Sequence, residues 1–168
     1  MELQNLDLEE IYHNHYKNVY RYILFRINNH HDAQDLANDV FVKAIRNQKN
    51  FNPTLSIEGW LITIAKNTVV DYLRKHMRLK FISLDNAKNI DCPANNPEEA
   101  AIASEEITQL LYAMNKLKPK ERQILSMKFT TGLKHKEIAN ILNITETNAR
   151  VSAHMALNKL KKYMKESG

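Results

Sequence analysis

The stretch KHKEIANILNITETNARVSAHMALNKL, Lys134 to Leu160, decides how the rest of this 168-residue chain is read. Ile138, Ala139 and Leu142 fall on one face of a short helix, Ile144 occupies a bend, and Thr145 stands where a hydroxyl caps a second helix. From there Ala149, Ala153, Ala156 and Leu160 recur at helical spacing and face inward, leaving Thr147, Asn148, Arg150, Val151, His154 and Met155 outside. Ala139 is small where the two helices cross, and a bulkier side chain would push them apart. The pattern is that of a helix-turn-helix, whose second helix enters the major groove of DNA with its N-terminal side chains toward base edges. A plain helical hairpin packed on its neighbours satisfies the same spacing.

Upstream, apolar residues keep helical spacing and no strand pattern emerges. With three Gly and four Pro in the whole chain, the expected class is all-α. Ile107, Leu110, Leu111, Met114 and Leu117 form a stripe ending at Lys118-Pro119, and a further helix holds Ile124, Leu125 and Phe129 before the turn at Gly132. Asn96 offers a cap for this unit, Pro97 suits a first helical position, and Glu98 and Glu99 complement the positive helix start. Just before it, DNAKNIDCPANNP (Asp85–Pro97) is rich in residues that favour turns and solvated chain. Residues 77–96 therefore read as a flexible linker between two small helical domains, 1–76 and 97–168, the second containing the helix-turn-helix.

The N-terminal unit shows three helical stripes. The first runs through Leu8, Ile11, Tyr12, Tyr16, Val19, Tyr20, Ile23, Leu24 and Ile27. Asp32 is placed to cap the second, which carries Ala33, Leu36, Ala37, Val40, Phe41, Ala44 and Ile45. FNPTLS (Phe51–Ser56) interrupts the pattern, and Ser56 then caps a third helix with Ile57, Trp60, Leu61, Ile64, Ala65, Thr68, Tyr72 and Leu73 inside.

Charge is unevenly spread. Nine Lys/Arg balance nine Asp/Glu over residues 1–75, whereas residues 104–168 hold twelve against six, so the excess of the net +5 lies in the last third. Such a segment attracts polyanions through counterion release, although a solvated helical surface has the same composition. The lone Cys92 excludes an intramolecular disulfide framework, and no Cys/His spacing suits zinc. His13 with His15, and His30 with His31, do not share a helix face, so no metal site is expected. With no Gly-rich phosphate loop and no catalytic constellation, the chain reads as neither an enzyme nor a cofactor binder. An acidic N-terminus and the lack of a long apolar run point to a cytoplasmic protein without membrane insertion.

Three stretches carry a family resemblance: DAQDLANDVFVKAI (Asp32–Ile45), IEGWLITIAKNTVVDYLRK (Ile57–Lys75) and LKPKERQILSMKFTTGLKHKEIANILNIT (Leu117–Thr145). In this order they resemble the extracytoplasmic-function (group IV) sigma factors of bacterial RNA polymerase. The resemblance implies an alternative sigma factor whose N-terminal domain binds core polymerase and opens the minus-ten element, and whose C-terminal domain binds the minus-thirty-five element. It implies that Asp35, Asn38 and Asp39, three and four apart on one polar face, dock on the coiled coil of the largest polymerase subunit. It further places Lys66, Asn67, Arg74 and Lys75 against duplex near the minus-ten element, with the Lys49–Ser56 loop, including Phe51 and Asn52, capturing a flipped base. Lys134, Thr145, Thr147, Asn148, Arg150 and His154 fall to the minus-thirty-five element. An anti-sigma factor is the implied inhibitory partner.

Several alternatives stay open on the residues alone. An acidic helix face is often merely solvated, and Phe51 serves equally well as a plug at a helix end. The recognition helix also departs from its relatives: Ser152 and Met155 stand where many show arginine or lysine, and Ala153 replaces a larger apolar residue. Phosphate contact by Arg150, His154, Lys159, Lys161 and Lys162 is well provided, while arginine readout of bases is thin. Val151 and Met155 fit a protein-facing patch as well. A stand-alone helix-turn-helix regulator, binding an operator as a dimer, and a pure interaction protein remain the rival classes.

Overall fold

The computed structural model describes residues 7–83 and 105–166. Every regular element among them is helical, in keeping with the periodicity: α1 (Leu8–Ile27), α2 (His30–Arg46), α3 (Ile57–Ser83), α4 (Glu105–Asn115), α5 (Pro119–Thr130), α6 (His135–Leu142) and α7 (Glu146–Glu166), with a short 3-10 turn at Gln48–Asn50. The cap at Asn96-Pro97, the acidic Glu98 and Glu99, and residues 84–96 of the expected linker lie outside the described residues.

α1, α2 and α3 pack mutually and bury Ile11, Val19, Ile23, Ala33, Ala37, Val40, Phe41, Ala44, Leu61 and Ala65. Asp7 caps α1, its carboxylate accepting from the Glu10 N–H at 3.2 Å. The cap of α2 is Asn29 rather than Asp32: the Asp32 N–H donates to the Asn29 side chain at 3.0 Å, one turn earlier than the sequence pattern suggests. Asp32 is thereby free to accept from the Tyr72 hydroxyl of α3 at 2.5 Å, and burial, followed by that bond, raises the Tyr72 pKa. Ser56 does cap α3, accepting from the Gly59 N–H at 3.0 Å. α3 runs on to Ser83, past the expected boundary at residue 76, because no Gly or Pro intervenes to stop it.

In the second unit α5, α6 and α7 surround a core of Leu111, Met114, Leu117, Ile124, Leu125, Ile138, Ala149, Ala153, Ala156 and Leu160. The two units are docked on each other: α1 lies along α5, and α3 touches α6. This contact buries residues that the stripes left outside, namely Tyr22 and Arg26 of α1 and Ser126 and Thr130 of α5. Phe129, read as a core residue, is instead 56% exposed, because α5 turns its Ser126–Thr130 edge toward α1. Ile45 and Ile107 are likewise exposed rather than buried.

Tyr22 is wholly buried, with its hydroxyl accepting from the Arg26 guanidinium at 3.1 Å and bonded by Gln123 of the other unit; burial dominates and raises its pKa. Truncation to Tyr22→Ala is expected to cost about 3–5 kcal/mol. Tyr22→Phe keeps the ring but leaves a buried guanidinium short of an acceptor, for about 1–3 kcal/mol. Urea denaturation of the whole chain checks both, and a loss below about 1 kcal/mol for Tyr22→Ala would show that the junction contributes little.

Candidate nucleic-acid interface

The helix-turn-helix is built as its sequence suggests. α6 ends on Asn143 in the left-handed region (φ 55), a conformation asparagine tolerates, and the Ile144 N–H returns to the Ala139 carbonyl at 3.0 Å. Thr145 caps α7, its hydroxyl accepting from the Asn148 N–H at 3.0 Å. Ala149, Ala153, Ala156 and Leu160 are buried, and Thr147, Asn148, Arg150, Val151, His154 and Met155 are all exposed. Lys134 is exposed at the start of α6.

Positive potential gathers at the N-terminal end of α7. Burial first, then the charges of Lys128 and Arg150, hold the His135 pKa below its usual value against the opposing Glu146 carboxylate, so both cations lie within electrostatic reach of His135. Together with the helix start, whose N–H groups point outward, this corner suits a phosphate. Arg150 pairs with Glu146 at 3.4 Å, and the Ser152 hydroxyl bonds the Asn148 side-chain oxygen at 2.9 Å. Lys159, by contrast, turns to Glu121 at 2.7 Å and ties α7 to the start of α5. That bond is the main reason the Glu121 carboxyl lies below its usual pKa, with the Lys118 N–H also donating to it at 3.0 Å.

On the N-terminal unit the expected minus-ten residues do not all share a surface. Asn67, Arg74 and Lys75 are exposed on α3, and Arg74 pairs only loosely with Asp71, at 3.8 Å. Lys66 points elsewhere: its ammonium donates to the Ile141 carbonyl at the end of α6, 3.1 Å away, and so belongs to the contact between the units. Phe51 is half-buried, edge-on to Trp60 with ring centroids 5.1 Å apart, and Trp60 lies in the core. Asn52 is exposed beside it, its side-chain oxygen accepting from the Thr54 N–H at 3.0 Å and hydroxyl at 2.7 Å.

Asp35, Asn38 and Asp39 sit together on the exposed face of α2, opposite buried Ala33, Ala37, Val40 and Ala44. Their ion pairs are weak surface contacts, Asp35 with His31 at 3.8 Å and Asp39 with Lys43 at 3.2 Å, of a kind worth about 0–1 kcal/mol. These carboxylates can therefore exchange partners at small cost.

Two cations escaped the sequence reading. Lys128 lies on α5, outside the motif, and only the folded chain brings it to His135 and Arg150. Arg78 was assigned to the linker, yet it is exposed on α3 four residues beyond Arg74, a spacing that continues the same row had the helix been extended.

An acidic helix face on one unit, coupled to a basic helix-turn-helix on the other, defines an all-helical DNA-binding protein that also has ground for a protein partner. Residues 11–79 match sigma-70 region 2, and residues 107–160 match sigma-70 region 4. The sigma factor YlaC of Bacillus subtilis is 28% identical over 161 residues, covering 95% of this chain and 93% of that protein. SigM, an ECF sigma factor of the same organism, is 28% identical over 93% of this chain and 94% of its own length. Among solved structures, Bartonella quintana RpoE, in complex with the anti-sigma factor NepR, is similar in fold with a TM-score of 0.77, at 21% identity and over 95% and 97% of the two chains. CnrH, in complex with the cytosolic domain of CnrY, gives 0.70 at 16% identity over 96% and 89%. The chain belongs to the sigma-70 family, as an alternative sigma factor of the extracytoplasmic-function type that directs RNA polymerase to promoters.

Ala139 is 3% exposed in the helix crossing. Ala139→Leu is expected to lower stability by about 1–3 kcal/mol through overpacking, as read by thermal denaturation; a change under about 0.5 kcal/mol would mean that the crossing has slack.

Proposed function

We propose that this sigma factor docks on the coiled coil of the largest polymerase subunit through Asp35, Asn38 and Asp39. The observation that carries the reading is the state of those carboxylates, exposed on α2 and held only by weak surface pairs. A basic coiled-coil surface would replace His31 and Lys43 as their partner. Phe51, Asn52, Asn67, Arg74 and Lys75, with Arg78 extending the row, then engage the minus-ten element; Lys134, Thr145, Thr147, Asn148, Arg150 and His154, helped by Lys128, engage the minus-thirty-five element. Within its family the chain falls in group IV and acts in the cytoplasm, and among the described residues no helix is long and apolar enough to cross a membrane.

The docked arrangement sets a condition on this activity. The two promoter elements lie about 25 base pairs apart, roughly 85 Å along B-form DNA. A compact chain of 168 residues has a radius of gyration of only about 15 Å, so two units in contact cannot reach both elements at once. The units separate on polymerase, and separation frees Lys66 from the Ile141 carbonyl for phosphate contact near the minus-ten element.

An anti-sigma factor is the partner that would hold the docked form. Between the units runs a cleft of about 730 Å³ lined by Leu24, Phe25, Ile107, Leu110 and Phe129, with Lys17 and Arg21 also on its wall. Phe129 and Ile107 are 56% and 45% exposed there, apolar surface of the sort an amphipathic helix covers. The similar structures RpoE and CnrH are each complexes, with NepR and with CnrY.

The test is initiation. Purified protein mixed with core polymerase and genomic promoter fragments is expected to give specific transcripts and no footprint without polymerase. Asp35→Lys combined with Asp39→Lys is expected to abolish polymerase binding with helicity unchanged. An operator footprint by the protein alone, untouched by the charge reversal, would instead identify a stand-alone regulator.

A further inference from the structure

The outward ridge of the recognition helix is partly apolar. Burial of Ala149, Ala153, Ala156 and Leu160 fixes the roll of α7. Opposite them, Thr147, Val151, His154 and Asn158 follow at intervals of four, three and four residues, which places them along one outward line. Val151 stands in the middle of that line, 50% exposed, and Met155, one turn on, is 58% exposed.

The groups around Val151 are poorly arranged for arginine readout of guanine. Arg150 lies about 100° round the helix from Val151, off the outward line and toward Glu146 at 3.4 Å, and the Asn148 oxygen already bonds the Ser152 hydroxyl. In the major groove the one apolar feature that distinguishes a base is the 5-methyl group of thymine. A branched aliphatic side chain on the groove-facing line has that methyl as its natural complement, and no hydrogen-bonding edge to offer any other base.

We propose that Val151, with Met155 beside it, is a specificity-determining residue that reads thymine 5-methyl groups in the minus-thirty-five element. The proposal rests on the promoter-binding reading given above and adds to it which base chemistry the element must contain. Thymines face Val151 from one or two positions of the element, while Arg150, Lys134 and Lys128 contact flanking phosphates. The usual arginine-to-guanine contacts are replaced by a methyl contact whose discrimination is modest and whose salt dependence is small.

The experiment uses the whole chain with core polymerase. An element is first selected from a randomised minus-thirty-five region, and each thymine in it is then replaced by deoxyuridine, which removes the methyl and nothing else. At one or two positions the replacement is expected to weaken holoenzyme binding roughly three- to fivefold, the effect of one buried methyl. With Val151→Ser the same replacement is expected to have no further effect, and Val151→Arg is expected to shift selection toward guanine at that position. Uracil tolerated at every position overturns the proposal, as do a selected element without thymine and a thymine penalty that persists in Val151→Ser. An equal loss on all DNA, or loss of polymerase binding, would mark Val151 as part of a protein-facing patch and also overturns it. Failure to select any element would count instead against the promoter-binding reading, so the two failures are distinct.

Discussion

One guanidinium joins the two halves of this molecule. Arg122, near the start of α5, donates to the carbonyls of Met114, Asn115 and Leu117, each at 3.1 Å, and to that of Arg26 in α1 at 3.3 Å. The first three lie at the C-terminal end of α4 and in the turn beyond it, where carbonyls run short of helical partners and the helix dipole favours a cation, although the Met114 carbonyl also accepts from the Leu117 N–H at 3.1 Å. The fourth belongs to the end of α1, so one planar fork satisfies two helix ends from different units. Arginine suits this position because its five donors are fixed in one plane and its charge is never lost. Around it the interface closes on Tyr22 and on the buried Arg26, whose guanidinium donates to the Tyr22 hydroxyl at 3.1 Å.

That junction accounts for most of the difference between the stripes in the sequence and the core in the structure. A helix covered on one side announces itself, and the inward row of α7 was legible down to each alanine. α1 and α3 are covered on two sides. Tyr22 and Arg26 form a second buried row on α1, and Ile62 and Val69 join the buried positions of α3. Nothing local marks an arginine as buried; the cause is a partner 96 residues away in the chain. The outward turn of Phe129 has the same origin, since the small Ser126 and Thr130 bring α5 close to α1, with their hydroxyls returned to the α5 backbone at Arg122 and Ser126. The acidic face of α2 was readable because α2 has one covered side only.

The same contact explains why one cation of the expected minus-ten set does not share the exposed surface of the others in the docked form. Lys66 and Asn67 are adjacent in sequence, and adjacent residues on a helix point about 100° apart. Asn67 shares its side of α3 with Arg74, seven residues on, and remains exposed. Lys66 instead meets the last turn of α6, where a free carbonyl receives it. The Glu58 carboxylate makes a matching tie, accepting from the Asn18 amide of α1 at 2.6 Å and from the Gly132 N–H of the α5–α6 turn at 3.2 Å. Both ties are polar and only partly buried, whereas Tyr22 is wholly buried, so contact between α3 and α6 is the edge that would part first.

The recognition helix shows how packing decides chemistry one step removed. Alanines at the crossing let α6 and α7 approach closely, and close approach leaves α7 no freedom to roll. Once the roll is set, the choice of outward residues is no longer available to the helix: Thr147, Val151, His154 and Asn158 face outward whatever their chemistry. Charge then has to act from the margins. Lys128 stands beside His135 together with Arg150 near the start of α7, and Lys161 and Lys162 lie near its end, while Lys159 is held back by Glu121. Under the proposed promoter contact, cations flanking an apolar centre would grip phosphates on either side of the groove and leave its floor to van der Waals contact. Affinity and base choice would then be separated along a single helix, the first a matter of charge at its ends and the second of shape in its middle.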